Sequence, residues 1–345
     1  MHDHITIRRK SCLSAWDCAF PKHALRFLTL IYLHRSCGTS TAESYVCMTQ
    51  KAIPAFFRHP PDQPTMNETH TRQPLSNRIQ VTPNTKGAQY HIYVDMEKQW
   101  ASLAQTQYVD RPKPEGSVRV VLFGDTHGLH EHTVIPKGDV LIIHGDILFQ
   151  PRGGDWLTLH EGSIMMEAFN EFLAQQPHSH KVLIAGNHDH VLETLGDHAV
   201  QRMMQGATYL SNTTATVAGL RVFGYPVSVS MHTRNRAFQV DRGSADERRV
   251  LNTIWKEARD ADILITHGAE PAQRAFVAMA GTESSSEEDV LKRRPSRPRL
   301  HVYGHIHGGF GIQFHKHGGC SINAASVDND FCLVHPVVVV DMLVQ

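Results

Sequence analysis

Five short apolar runs in this chain each end in a turn that carries Asp, Asn or His, the side chains that hold metal ions. Residues 118–123 lead into Gly124-Asp125-Thr126-His127, and 139–144 into Gly145-Asp146. Residues 181–185 lead into Gly186-Asn187-His188-Asp189, 262–266 into His267-Gly268, and 300–303 into Gly304-His305-Ile306-His307. Two divalent cations about 3.5 to 4 Å apart need a carboxylate between them, hard oxygen donors and neutral imidazoles, which leave the ions' charge free to polarise phosphate and water. Asp146 is the natural bridge, and Asn187 can bind one cation through its carbonyl oxygen without cancelling more charge. His188 is placed as general acid toward a leaving oxygen, with Asp189 beside it to fix its tautomer and raise its pKa.

Strand context separates these motifs from the background of 25 histidines. His-x-His also occurs at His2/His4, His130/His132, His178/His180, His188/His190 and His315/His317, but only His305/His307 follows a strand-like run through a glycine. Continuous apolar strands are buried on both faces, which requires helices over the sheet and predicts an α/β fold. The C-terminal ends of such strands converge on one crevice. A glycine beside each ligand is expected to give the backbone its sharp turn.

The series D-x-H, G-D, G-N-H-D, T-H-G and G-H-x-H resembles that of the calcineurin-like metallophosphoesterases, over residues 116–345. Within that superfamily, Leu264-Ile-Thr-His-Gly, Val302-Tyr-Gly-His-Ile-His-Gly-Gly-Phe-Gly and Ile322-Asn-Ala-Ala-Ser before Pro336-Val-Val-Val-Val-Asp are most similar to the metallophosphoesterase-domain-containing subgroup. The resemblance implies a four-layer αββα sandwich. It also implies one metal on Asp125, His127, Asp146 and His307, a second on Asp146, Asn187, His267 and His305, and His188 as the acid. The activity implied is hydrolysis of phosphate esters, diesters such as cyclic nucleotides before monoesters, by in-line attack of a metal-bridging hydroxide. The alternative is a weakly active or non-catalytic scaffold of the same fold. Mn²⁺, Fe²⁺ and Zn²⁺ all suit this donor set, with Mn²⁺ favoured. One departure is Gly124 before Asp125, where the subgroup often has Ser.

The rest of the chain bounds the reading. Its 345 residues are 41% hydrophobic and 20% charged, with Lys+Arg and Asp+Glu both at 34, so no global excess of charge draws it to nucleic acid or an anionic membrane. The expected partner is a small phosphate-ester substrate, with no sequence-specific nucleic acid and no membrane; the oligomeric state is left open. Six cysteines without a C-x-x-C set no metal or disulfide framework and point to a reduced, intracellular, cytoplasmic setting. Residues 1–85, proline-studded and aperiodic, are expected to be disordered. The basic first 36 residues loosely resemble an organelle presequence, but Pro21 and acidic residues spoil the amphipathic helix. Residues 86–115 read as a lead-in element, strand-like from Tyr90 and then helical after an Asp95 cap, closed by Arg111-Pro-Lys-Pro; 116–345 form the catalytic domain.

Arg152, with Gly153-Gly154, can meet a substrate phosphate. His144 reads as a buried histidine behind the ligands. Met165, Met166, Phe169, Phe172 and Leu173 form the core face of a helix. His315 and His317 read as a turn, and 281–298 as a solvated surface loop.

Overall fold

In the computed structural model the described residues are 91–96, 100–104, 111–148, 157–230, 237–273, 275–276, 298–315 and 319–344, all within the second of two compact units, Arg72–Gln345. The expected disorder of 1–85, the candidate Arg152, His317 and the 281–297 stretch lie outside the described residues.

The strands run β1 His91–Asp95, β2 Trp100–Ala104, β3 Ser117–Phe123, β4 Val140–Ile143, β5 His180–Leu183, β6 Thr208–Tyr209, β7 Thr213–Val217 and β8 Leu220–Tyr225. They continue as β9 Ser228–Val229, β10 Gln239–Val240, β11 Ile263–Thr266, β12 Leu300–Tyr303, β13 Gly311–Phe314, β14 Cys320–Asn323 and β15 Val337–Leu343. The helices are α1 Leu159–Gln175, α2 His190–Leu195, α3 Asp197–Met203 and α4 Ala245–Ala258. One sheet has seven strands in the order β2-β1-β15-β3-β4-β5-β6, a second has six in the order β13-β14-β12-β11-β8-β7, and β9 pairs with β10 alone.

Alternation along buried strands sorts the side chains into layers. Val120 and Leu122 of β3, with Val140 and Ile142 of β4, meet Val222, Ile263, Ile265 and Val302 of the other sheet in a core between the two sheets. Val121 and Phe123 point the other way, against Met166, Phe169, Phe172 and Leu173 of α1. Phe223 and Leu264 likewise turn outward to Val250, Ile254 and Ala258 of α4. The result is four layers, helices, sheet, sheet, helices. Both long helices start on side-chain caps: Thr158 and Glu161 form a reciprocal capping box on α1, and Ser244 accepts the Glu247 N–H on α4. On α1, Met166, Phe169, Phe172 and Leu173 are the expected core face, with Met165 only partly buried.

The structure differs from two expectations and refines a third. The helix after Asp95 is instead β2, paired antiparallel with β1 from Asp95↔Trp100 to His91↔Ala104. A five-residue window at helical spacing is too short to outweigh a ladder available at a sheet edge. His315 does stand where the chain turns between β13 and β14, its N–H donating to the Gly319 carbonyl at 3.1 Å, with its ring buried 5.3 Å from the Phe276 ring and Nε2 2.8 Å from Ser321 Oγ. Glycine, finally, does not carry the sharp turns alone. The left-handed φ angles fall on Asp125 (46°), His127 (45°), Asp146 (50°) and His305 (66°) themselves.

Candidate metal centre

β3, β4 and β5 are mutually parallel, as are β8, β11, β12 and β14, so the turns that follow them open at the same end of each sheet. Asp125 and His127 follow β3, Asp146 follows β4, Asn187 and His188 follow β5, His267 follows β11, and His305 and His307 follow β12. Direct bonds knit the loops together. The His305 N–H donates to Asp125 Oδ1 at 3.0 Å, and His267 Nδ1 lies 3.1 Å from the His144 carbonyl. The neighbouring glycines serve close approach: a methyl group on Gly186 would overlap Asp146 Oδ1 and His267, and one on Gly304 would overlap Asp125 Oδ2.

Two groups of donors result. Asp125, His127, Asp146 and His307 each offer an atom within 4.8 Å of the others, and all four are buried. His127 Nε2 lies 3.2 Å from His307 Nε2 and 3.7 Å from Asp146 Oδ2, while His307 Nε2 lies 3.5 Å from Asp125 Oδ1. In the second group, Asn187 Oδ1 is 2.9 Å from His267 Nε2 and 2.8 Å from His305 Nδ1. His267 Nε2 is also 3.3 Å from Asp146 Oδ2. One oxygen of Asp146 therefore faces both groups.

Residues 118–309 match the family model described as calcineurin-like phosphoesterase. The chain belongs to that family. "Metallophosphoesterase domain-containing protein 1" of Homo sapiens and that of Mus musculus are each 30% identical to it over 259 residues, 68% of this chain and 73% of theirs. A UPF0046 protein of Caenorhabditis elegans is 27% identical over 221 residues, 59% of this chain and 69% of its own. The four layers are thus the metallophosphoesterase sandwich, and the site is that of a metal-dependent phosphoric ester hydrolase.

The donor chemistry fits divalent cations in this calcineurin-like site. Carbonyl oxygens can only accept, so His307 Nδ1, 3.0 Å from the Asp328 carbonyl, and His267 Nδ1 on the His144 carbonyl are both donors. That leaves each Nε2 lone pair aimed at the other ligands, as outer partners do for metal-bound imidazoles. His305 Nε2 and His127 Nδ1 are buried without a hydrogen-bond partner. The field is cation-seeking too. Burial would raise the Asp125 carboxyl, but the His144 and His307 rings beside it, with His267, hold it well below the usual range. Burial would lower His267, yet Asp146 lifts it to about 9. His127, by contrast, is pushed by burial down to about 3. A proton on His267 occupies charge space that a metal ion would fill.

The structure brings together all seven expected ligands with His188, whose backbone N–H donates to Asp146 Oδ1 at 2.8 Å and whose ring lies 4.7 Å from that of His127. Asp189 is corrected: it does not hold His188. Its Oδ1 accepts the N–H groups of Ile147 at 3.1 Å and Leu148 at 3.0 Å, and its Oδ2 that of Gly186 at 2.8 Å. Buried backbone donors outcompete a neighbouring ring, because each would otherwise be left unpaired. Accordingly the His188 pKa is lowered by burial, with Asp146 opposing, and is not raised through Asp189. His144 is fully buried with Nδ1 3.2 Å from Asp125 Oδ2, behind the ligands as expected.

Sequence reasoning missed two contributors, the Asp328 carbonyl on His307 and the ring of Phe331, 4.6 Å from that of His127. The only signal was Asp328-Asn-Asp-Phe itself, a turn-forming polar run ending in an aromatic residue.

Proposed function

We propose that the protein is a phosphodiesterase that works with two divalent cations, manganese first, on small phosphate diesters such as cyclic nucleotides, and that the residues of its site all lie within 116–345, on a sheet that β1 and β2 complete. The observation that supports two cations is Asp146 Oδ2, 3.3 Å from His267 Nε2 in one donor group and 3.7 Å from His127 Nε2 in the other. Asp125, His127, Asp146 and His307 would hold one ion, and Asp146, Asn187, His267 and His305 the other. The ions would supply the charge that polarises the ester phosphate and acidifies water.

The chain's own residues do the rest. The carbonyls of Asp328 and His144 keep the rings of His307 and His267 in one tautomer. His188, half-buried against His127, gives its proton to the ester oxygen that leaves phosphorus. A diester suits the electrostatics: among the described residues, Asp125 and Asp146 take their hydrogen bonds and ion pairs from histidines and backbone N–H groups, with no Lys or Arg beside them to hold a dianion. The test is metal stoichiometry by elemental analysis, together with kcat/KM for bis(p-nitrophenyl) phosphate and p-nitrophenyl phosphate under Mn²⁺, Fe²⁺ and Zn²⁺. Two ions per chain and a diester preference are expected. One ion per chain would remove the dinuclear reading, and a monoester preference would reverse the substrate class.

A further inference from the structure

Residues 328–332 contain none of the donors, yet they are wired to them. The Asp328 carbonyl takes His307 Nδ1, and Asn329 Oδ1 accepts the Gly308 N–H at 3.0 Å. Asp328 closes the turn on itself: its Oδ1 accepts the N–H groups of Asp330 and Cys332, both at 2.9 Å, and its own N–H donates to the Cys332 carbonyl at 2.9 Å. A turn closed this firmly dictates the backbone of the residue inside it. That residue is Phe331, held at φ 60°. Glycine or asparagine takes up this left-handed conformation readily, whereas a bulky side chain is strained there.

The ring that is held at this cost lies over the centre. Its centroid is 4.6 Å from that of His127 and 5.2 Å from that of His307, at interplanar angles of 74° and 88°, and 6.1 Å from that of His188. Phe331 is half-buried. Ile306, between the two histidines of the last loop, is 40% exposed. An apolar ring at the edge of a charged site meets the non-phosphate part of the substrate, and a flat ring is best matched by a flat partner.

We propose that Phe331 is a specificity-determining residue, its ring forming one wall of the substrate site and selecting esters that carry a planar aromatic group, an aryl ring or a nucleobase, beside the phosphate. This rests on the phosphoesterase reading of the same site and deepens it.

Two diesters with one leaving group separate recognition from chemistry: bis(p-nitrophenyl) phosphate and methyl p-nitrophenyl phosphate, assayed with the full chain in Mn²⁺. The wild type should favour the aryl diester. Phe331→Leu should lower that preference about tenfold or more, the scale on which stacking aromatics act on bases, and Phe331→Tyr should keep it. Phe331→Gly relaxes the backbone while deleting the ring, so it should melt no lower than Phe331→Leu and still lose the preference. Binding of phenylphosphonate against methylphosphonate, followed by calorimetry on the same proteins, needs no turnover. If the wild type cleaved neither diester yet bound the phenyl compound more tightly, and Phe331→Leu lost that margin, the activity would be misread and the role of Phe331 would stand. An aryl preference unchanged in Phe331→Leu and Phe331→Gly, or equal losses on both diesters, would overturn the proposal.

Discussion

The backbone N–H of His305 reaches Asp125 Oδ1 across 3.0 Å, so the last donor-bearing loop of one sheet is bonded to the first donor-bearing loop of the other. Both residues sit at positive φ, 66° and 46°. Strain of this kind survives only where the surroundings over-determine it. Here the cause is visible: relaxing either residue would break the bond between the sheets and swing a donor out of its group.

Asp146 stands between the groups, so Asp146→Asn should weaken both. Its oxygen faces His127 and His267, and its partner oxygen accepts the His188 N–H. Elemental analysis of the variant should find both ions depleted and hydrolysis abolished. Retention of one full equivalent of metal would show that Asp146 serves a single ion.

Asp189→Asn should loosen the site without touching a ligand. The carboxylate ties the loop after β5 to the loop after β4 through Ile147, Leu148 and Gly186. An amide offers one acceptor oxygen, leaving a buried N–H facing an NH₂ at a cost of about 1 to 3 kcal/mol. The melting temperature and the metal affinity should both fall. Unchanged melting would mean that water replaces the lost acceptor.

Much of the site was legible in the sequence because each ligand lies directly after an apolar strand, where parallel β-topology leaves little freedom about its position. Asp189 was misassigned for the opposite reason. Adjacency to His188 suggested a pair, but the competing acceptor need lay in backbone groups of Ile147 and Leu148, about 40 residues away in the chain. β2 was misread as helix because its partner, β1, becomes a sheet strand only through β15, whose residues come some 240 positions later. Phe331 left no periodic trace at all, since a turn closed by Asp328 obeys neither period.

The lead-in strand gives a sharper truncation test than composition alone. β1 is an interior strand between β2 and β15; Ile92 and Val94 are buried, and the Tyr93 hydroxyl donates to Asp341 Oδ2 at 2.9 Å beside the Arg119–Asp341 ion pair. A chain starting at Thr85 should keep its melting temperature and specific activity, whereas one starting at Arg111 should aggregate or melt far lower. Equal behaviour of the two would show that β1 adds little to the sheet.

Acid should unfold the metal-free protein earlier than its carboxylates require. Burial lowers the pKa of His130 to about 4, of His178 to about 4 and of His301 to about 3. A depressed histidine stays neutral when folded but takes a proton when unfolded, so its contribution is whole above pH 6.5 and is lost as the pH falls toward 4. Each such proton is worth at most about 1.4 kcal/mol per pH unit. His130 packs on Phe169 and Phe172 at 4.8 and 5.0 Å, so His130→Phe should flatten the urea midpoint between pH 6.5 and 4.5 in EDTA. A slope equal to that of the wild type would mean that His130 is charged in the folded state.

His188 separates proton transfer from metal binding. Its backbone N–H is bonded to Asp146, but substitution of the side chain leaves that bond in place. His188→Ala should therefore keep near-normal metal content while losing about 10² to 10⁴ in kcat, the usual worth of a positioned acid. A nitrophenolate leaves with little need of a proton, whereas an alkoxide needs one badly, so the defect should grow from aryl to alkyl and nucleoside esters. Burial lowers the pKa of His188, which makes it a stronger acid when charged but leaves less of it charged at neutral pH. Alkyl-ester hydrolysis should then fall as the pH rises, and that limb should vanish in His188→Ala. Loss of metal from the variant, or an equal slowing of good and poor leaving groups, would make His188 a ligand or a phosphate-binding group instead.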